Sequence, residues 1–600
     1  MSTDEPALDL DLDERKALAT QLKLSANALF ASGDYTGARD GYTKAINVYA
    51  EDPVIYCNRA QAHINLENFS EAAADAQKAT ELDNRSTKAW ARLGKAQRHL
   101  GQLTKASFSL GVALDTLPAA SKMTPADKRL REEVEKLIHQ VLLDGRRPEN
   151  MLDAVWKGEA DFLPERNSLD VIEQPDVNGK RPWDCAYAVL RPILEGTHGR
   201  KQSKAEREAE DKIVLQSSVT LVYSAYVEWA KGLHALSLLQ TLPRNDGSGQ
   251  VDAAGRIDCT LQFVSGIIRE YRVHRTLTRQ ENNRYSSQML FEIQTGQAWR
   301  SSDIEEIIRD AAKRLEQEGW SKAFILSLSS TLDVWVFCSY RADNELGEFK
   351  EALSLYKFAI RLLEWARAAW PADKPDRPEI LQEWWVRAVK RLTWQTFMKA
   401  SQKSSPKHEE FCASPEGDID DFFEEVLAVV QETEESLKTA AEKYMPGRDA
   451  SFIPAFWLYP IGEGYAAMAW ARYRKAKESP DDGAEYKRAA QYWIKAASFV
   501  WLDDEYHVYW LAMAIESLWQ HKATAREILP LCSMMREALP DAMKIWQDST
   551  DLGRGGSRDF IFNLVIAYDD SVRGMISRGE ATLNDVLAPE GWLEHTAHID

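Results

Sequence analysis

A 34-residue internal repeat near the N-terminus constrains the fold more than any other feature of the sequence. Each copy has a turn residue, a bulky residue two positions later, and alanines five and twelve positions later. The three copies are Gly33, Tyr35, Ala38 and Ala45; Glu67, Phe69, Ala72 and Ala79; and Gly101, Leu103, Ala106 and Ala113. Alanine at the crossing point of two antiparallel helices lets their backbones approach. Each copy is therefore predicted to be a helix pair, and three pairs stack into a short right-handed solenoid that closes at Pro118.

Five polar residues interrupt the small and apolar residues of the predicted first helices. They are Lys23, Asn27, Asn58, Lys88 and Arg92. Lys23 and Asn27 are four positions apart, as are Lys88 and Arg92, so each pair projects from one helix face. A single such residue is more often a solvated position, but five in this register favour a binding site. We expect them to meet in the concave groove, where cations and amide donors suit carboxylate ligands.

The period and pattern of residues 16–119 resemble the tetratricopeptide repeat. The five polar residues resemble the carboxylate clamp of tetratricopeptide co-chaperones, which grips the C-terminal Glu-Glu-Val-Asp of heat-shock-70 and heat-shock-90 chaperones. By that resemblance, the residues that hold the terminal carboxylate and the last Asp side chain are Lys23, Asn27 and Asn58, and those that reach the Asp and the upstream peptide are Lys88 and Arg92. One departure is Ala26, which stands where the family commonly has glycine. Its methyl group is expected to narrow the groove floor.

The rest of the chain is predicted to be helical as well, so the fold class is all-α. We predict an acidic disordered tail at residues 1–15, the three-repeat domain at 16–119, a connector with short helices at 120–205, and a larger tetratricopeptide-like solenoid domain at 206–600. Traces of the repeat pattern in that last domain are Gly347, Phe349, Ala352 and Ala359, and then Tyr486, Ala489 and Ala496. Nineteen of the 20 tryptophans follow residue 150. They are expected to fill the helical core, although an exposed aromatic groove for a partner is the alternative.

Composition narrows the classes of function. The net charge of −19 argues against a general binder of nucleic acid or anionic membranes, since both need a basic surface. Six scattered cysteines form no Cys-x-x-Cys pair, which favours a reducing cytoplasm over a disulfide scaffold or a zinc site. The most apolar stretch, residues 324–340, is short for a membrane span and contains Asp333. We therefore predict a cytoplasmic protein with no membrane span.

A search for catalytic chemistry finds no recognisable motif. The 11 histidines give no metal-binding pattern, and the glycine-rich residues 551–560 favour a helix-to-helix turn over a phosphate-binding loop. The basic stretch at residues 269–285 is expected to be a solvated helix face, with contact to RNA or an acidic partner as the alternative. No catalytic residue, metal or cofactor is predicted.

The preferred hypothesis is a non-enzymatic cytosolic co-chaperone or adaptor. Its clamp would bind the tails of heat-shock-70 and heat-shock-90 chaperones, and the C-terminal domain would bind an unknown second protein. One alternative is an organelle-import receptor-like protein with a clamp. The other is a targeting module that carries an unrecognised catalytic domain, which would require a convergent polar pocket.

Overall fold

The structure, a computed structural model, describes most of the chain. The described residues are 11–100, 102–118, 123–144, 179–196, 210, 213–243, 251–274, 276–371, 377–402, 408–444, 448–478, 483–549 and 557–589. Their regular elements are helices, apart from one antiparallel hairpin of two four-residue strands. The prediction of an all-α fold is therefore confirmed.

The chain divides into two compact units that do not simply follow the sequence. Unit 1 comprises Met1–Arg147, Lys522–Glu537 and Val565–Ala588, and unit 2 comprises Pro148–His521, Ala538–Leu564 and Pro589–Asp600. Two C-terminal segments therefore belong with the N-terminal repeats, a division that the single predicted domain at 206–600 does not contain. Within unit 1, a Cβ added at Gly111 would lie 2.5 Å from the Cβ of Pro530, so these segments pack closely.

The N-terminal part of unit 1 contains the three predicted helix pairs and one further helix. Its N-terminal helices are α1 (Leu12–Ala31), α2 (Tyr35–Val48), α3 (Pro53–Asn65), α4 (Phe69–Leu82), α5 (Thr87–His99), α6 (Leu103–Asp115) and α7 (Pro125–Asp144). The alanines of the repeat are completely buried in all three copies, as expected for helix crossing points. The turn residues Gly33 and Glu67 have left-handed backbones, with φ of 87° and 59°. Gly101 lies outside the described residues.

Helix α1 begins earlier than predicted. Asp11 accepts hydrogen bonds from the backbone N–H groups of Asp13 and Glu14, and the Glu14 side chain accepts from the Asp11 N–H. This capping box starts the helix at Leu12. The predicted disordered tail at residues 1–15 was therefore too long at its C-terminal end, and residues 1–10 lie outside the described part.

The predicted connector at residues 120–205 contains two described helices. Helix α7 packs on α6 in unit 1, whereas α8 (Pro182–Gly196) packs on α9 (Val219–Ser237) in unit 2. Residues 145–178, which hold much of the predicted connector, are outside the described residues.

Unit 2 is built mainly from antiparallel helices that pack on their sequence neighbours. Its elements after α8 are α9 (Val219–Ser237), β1 (Gln240–Pro243), β2 (Val251–Ala254), α10 (Cys259–Arg269), α11 (Arg279–Thr295), α12 (Ile304–Glu318), α13 (Lys322–Arg341), α14 (Phe349–Ala369), α15 (Glu383–Ala400), α16 (His408–Cys412), α17 (Ile419–Tyr444), α18 (Tyr459–Glu478), α19 (Gly483–Ala497) and α20 (Glu505–Gln520). Helices α21 (Ala525–Trp546) and α22 (Ser557–Arg578) contribute residues to both units.

The repeat traces predicted in unit 2 correspond to helix pairs. Gly347 has a left-handed φ of 69°, α14 begins at Phe349, and Ala352 and Ala359 are completely buried. In α19 the aromatic and alanine positions of the second trace are buried as well. Most tryptophans of this unit are buried, including the doublet Trp384 and Trp385, so they fill the core as expected.

The basic stretch at residues 269–285 is only in part the solvated face that was expected, since Arg279 and Gln280 are exposed but the residues near Arg272 are buried. Its Arg272 is fully buried and donates hydrogen bonds to Glu270 and Asp504, at 2.8–3.0 Å. The guanidinium also lies over the ring of Tyr506, 3.8 Å from its centroid. The positive charge of Arg272 is therefore neutralised inside unit 2, where the two carboxylates offset the free-energy cost of burying it.

One described segment, Lys322–Leu346, has the length and apolar composition of a membrane span. Two thirds of its most apolar window, 67%, is buried inside the protein. The core helix of a water-soluble protein has the same properties, so the expectation of no membrane span stays a prediction.

Candidate peptide-binding site

The five residues of the predicted clamp lie on the first helices of the three pairs. Lys23 and Asn27 are on α1, Asn58 is on α3, and Lys88 and Arg92 are on α5. In the repeat register Asn58 and Arg92 are equivalent, 34 positions apart, and the two residues of each pair on α1 and α5 are about one helical turn apart.

Hydrogen bonds join three of these residues across the three helices. The Asn58 side-chain amide donates to Asn27 Oδ1 at 3.2 Å, and Arg92 Nη1 lies 3.4 Å from Asn58 Oδ1. All three side chains are half-buried. The structure therefore brings Asn27, Asn58 and Arg92 together as one polar row across α1, α3 and α5.

Tyr42 on α2 fixes the orientation of Asn27. Its hydroxyl donates to Asn27 Oδ1 at 2.7 Å, so that oxygen accepts two hydrogen bonds and the amide nitrogen is left as a donor. Burial raises the pKa of the Tyr42 phenol, although Arg92 opposes this shift, so the hydroxyl keeps its proton at neutral pH. Tyr42 was not among the predicted site residues, although its position four residues after Ala38 in the repeat indicates that it faces α1.

Arg92 is held by neutral acceptors. Its Nη1 donates to the Cys57 carbonyl oxygen at 2.6 Å, and its Nε donates to Gln61 Oε1 at 3.1 Å. Among the residues that the structure describes, no carboxylate pairs with Arg92 or with the exposed Lys88. Burial raises the pKa of the Cys57 thiol, while Arg92 and Lys88 oppose the shift. Their charges are available to an anionic ligand.

Lys23 differs from the other two cations because it already has a carboxylate partner. Its ammonium lies 2.7 Å from Asp52 Oδ2, and the two side chains are only 19% and 21% exposed. Asp52 precedes α3 and also accepts a hydrogen bond from the Val54 N–H at 2.9 Å. Asp52 was not among the predicted site residues, since its N-cap role explains an acidic residue there without any contact to α1.

Ala26 does not narrow the groove as expected. It is completely buried, and its Cβ would be 2.8 Å from a Cβ built on Gly41 of α2. The methyl group therefore points into the contact between α1 and α2. Because Gly41 has no side chain, it leaves space for the methyl group of Ala26.

Two observations on the described part of the chain bear on the alternative of a catalytic domain. A cleft of about 1110 Å³ in unit 1 is lined by arginines, acidic residues and apolar side chains, and its lining includes neither histidine nor cysteine. The described residues also contain no group of three or more His, Cys, Asp or Glu side chains placed to hold a metal ion.

The N-terminal fifth of the chain matches tetratricopeptide-repeat proteins of the co-chaperone type. The small glutamine-rich tetratricopeptide repeat-containing protein 2 of Saccharomyces cerevisiae is 34% identical over 161 residues, which are 26% of this chain and 46% of the yeast protein. The protein SGT1 homolog of Oryza sativa subsp. japonica is 35% identical over 133 residues, or 22% of this chain and 36% of the rice protein. This chain therefore spans less than half the length of either relative. No protein-family model matches the sequence.

Solved structures also resemble the chain. The first tetratricopeptide domain of Spaghetti (RPAP3), bound to the HSP90 peptide SRMEEVD, is 32% identical with a TM-score of 0.17, covering 20% of this chain and 94% of that one. Yeast Tom70 is 15% identical with a TM-score of 0.19, covering 89% of this chain and 98% of that one. The first similarity is confined to the N-terminal repeats, and the second extends over most of the chain.

Proposed function

We propose that this protein is a non-enzymatic co-chaperone or adaptor whose N-terminal groove binds the C-terminal Glu-Glu-Val-Asp tail of heat-shock-70 and heat-shock-90 chaperones. The observation that carries the proposal is the polar row of Asn27, Asn58 and Arg92, with Lys88 one turn from Arg92. Amide and guanidinium donors with no carboxylate of their own are suited to a ligand that ends in carboxylates. The relatives of co-chaperone type support the same role.

The expected affinity is modest. A hydrogen bond to a charged group contributes roughly 1.5–3 kcal/mol, and ordering a flexible peptide tail offsets part of the sum. A dissociation constant on the order of micromolar follows, which suits reversible docking on an abundant chaperone.

The test is a titration of the full chain with a labelled peptide that ends in Glu-Glu-Val-Asp. We expect the free acid to bind and the C-terminal amide of the same peptide to bind far more weakly. Arg92→Ala and Lys88→Ala should each weaken binding about tenfold to a hundredfold, because each removes a charge-assisted contact. Lys44→Ala, which removes an exposed cation from α2, serves as the matched control. Equal binding of acid and amide, or unchanged titrations for both groove variants, would exclude the clamp.

Unit 2 is proposed to bind a second protein, and the protein is proposed to act in the cytoplasm. A pull-down from cytosol with wild type beside the Lys88→Ala/Arg92→Ala double variant separates the two units. Partners lost by the variant depend on the clamp, and partners retained bind elsewhere. Membrane fractionation distinguishes the adaptor from the import-receptor alternative.

A further inference from the structure

The ion pair between Lys23 and Asp52 makes the groove asymmetric. The three cations of the groove are Lys23, Lys88 and Arg92, and only Lys23 has a carboxylate partner within the described residues. Both oxygens of that carboxylate are engaged, since Oδ2 contacts the Lys23 ammonium and Oδ1 accepts the Val54 N–H. The N-cap bond fixes Asp52 at the start of α3, so it lies against Lys23 without having to move there.

A ligand carboxylate that approaches Lys23 meets this fixed negative charge. The ammonium has three donors and can contact two carboxylates at once, but the two anions then repel each other in a half-buried environment. The ligand carboxylate can share Lys23 with Asp52, in which case it gains less binding free energy from the contact. Otherwise it must displace Asp52, whose Oδ2 then loses its partner. Either way, the contribution of Lys23 to binding is smaller than that of an unpaired lysine.

We propose that Asp52 is an affinity- and specificity-determining residue of the groove, an internal carboxylate that competes with the ligand for Lys23. The competition weakens binding of peptides whose last residue carries a side-chain carboxylate beside the terminal one. It leaves the contacts of a lone terminal carboxylate with Asn27 and Asn58 largely intact. Asp52 therefore reduces the factor by which the groove binds a peptide that ends in Asp more tightly than one that ends in Asn. This inference rests on the proposed function and names the residue that tunes it.

Asp52→Asn isolates the charge from the capping role. Asparagine is about as good an N-cap as aspartate, so α3 keeps its start while the competing negative charge is removed. We expect the variant to bind the Glu-Glu-Val-Asp peptide about three- to tenfold more tightly, and a Glu-Glu-Val-Asn peptide with little change. Glu51→Gln is the matched control, because it removes an exposed acid one residue earlier and should not alter either affinity.

A double-mutant cycle with Lys23→Ala makes the mechanism specific. If Asp52 acts through Lys23, then Asp52→Asn gains nothing once Lys23 is absent. An equal gain in the Lys23→Ala background would overturn the inference in favour of a general charge effect. Unchanged or weaker binding by Asp52→Asn alone would overturn it as well, since Asp52 would then orient Lys23 rather than compete with the ligand.

Failure of the proposed function has a different signature. In that case neither wild type nor Asp52→Asn would distinguish the free acid of the peptide from its amide. Thermal unfolding of each variant, followed by circular dichroism, accompanies the titrations. A folded Asp52→Asn protein without the predicted gain then counts against the competitor role itself.

Discussion

At the scale of single residues, the groove depends on how one amide is turned. Asn27 can present either its oxygen or its nitrogen, and only the nitrogen can donate to a carboxylate. The Tyr42 hydroxyl and the Asn58 amide both donate to Asn27 Oδ1, which turns the nitrogen away from them. Tyr42 is thus a positioning residue for the site, acting from the second helix of the pair.

Tyr42→Phe tests this orientation. The ring remains in place, but Asn27 Oδ1 loses one of its two donors, so we expect peptide affinity to fall about three- to tenfold and stability by about 0.5–1.5 kcal/mol. Tyr35→Phe at the start of the same helix is the control, because no described residue is hydrogen-bonded to its hydroxyl. Titration and urea unfolding measure the two effects separately. A loss of stability with unchanged affinity would show that Tyr42 only supports the fold.

The residues of the site differ in how far the sequence could predict them. The five clamp positions follow from a period of 34 residues and from the four-residue spacing within a helix, so their placement on the first helices could be derived. Asp52 and Tyr42 also lie in the repeat, but each has a sufficient local explanation, as an N-cap and as a core aromatic. Their contacts to Lys23 and Asn27 depend on how α1 packs against its neighbours, which spacing alone does not give.

At the scale of elements, the turn between α3 and α4 has a backbone conformation that is unfavourable for Glu67. Glu67 occupies the left-handed region with a φ of 59°, where the equivalent turn before α2 has glycine. For a residue with a side chain this conformation costs roughly 1–2 kcal/mol. The turn occurs at the same position of the 34-residue repeat as the one at Gly33. Packing of the helices on both sides imposes the left-handed conformation on Glu67.

Glu67→Gly should therefore stabilise the protein. The relief of the backbone cost exceeds the extra entropy that glycine gives the unfolded chain, so we expect a net gain of up to about 1 kcal/mol in the free energy of unfolding. Ala74→Gly, at an exposed site within α4, should lose about 1 kcal/mol instead. Urea denaturation of both variants checks the opposite signs. A loss of stability in Glu67→Gly would mean that the glutamate makes compensating contacts.

At the scale of the whole molecule, local patterns and long-range contacts contribute differently. Helix pairs, their alanine crossings and the left-handed turns at Gly33 and Gly347 follow from short spacings and were predictable. The burial of Arg272 was not, because its partner Asp504 is 232 residues away and the local sequence is basic. The same limit applies to the C-terminal segments of unit 1, since Pro530 packs on Gly111, which lies 419 positions earlier in the chain.

Unit 2 also contains buried carboxyl groups that make its stability depend on pH. Asp333 on α13 is buried, and its Oδ1 has no hydrogen-bond partner within the described structure. Burial, with a smaller effect from nearby Glu292, raises the pKa of Asp333 well above its usual range. Burial likewise raises the pKa of Glu292 to about 6, although hydrogen bonds from Thr260 and Gln288 oppose it. The folded protein therefore holds protons that the unfolded chain releases.

The sign of the pH dependence follows from this difference in bound protons. Below pH 4, which is about the pKa of these groups in the unfolded chain, they are protonated in both the folded and the unfolded protein and do not lower the free energy of unfolding. As pH rises, the unfolded chain ionises first, so the folded state loses stability, for Glu292 up to about pH 6 and for Asp333 beyond that.

Asp333→Asn mimics the protonated acid, and we expect it to raise the free energy of unfolding by about 1–3 kcal/mol at pH 7.5 and by progressively less towards pH 4. Asp421→Asn, the same change at an exposed position of α17, should leave the pH profile of urea unfolding unchanged. A destabilised Asp333→Asn protein at pH 7.5 would instead mean that Asp333 is ionised in the folded state and paired with a cation.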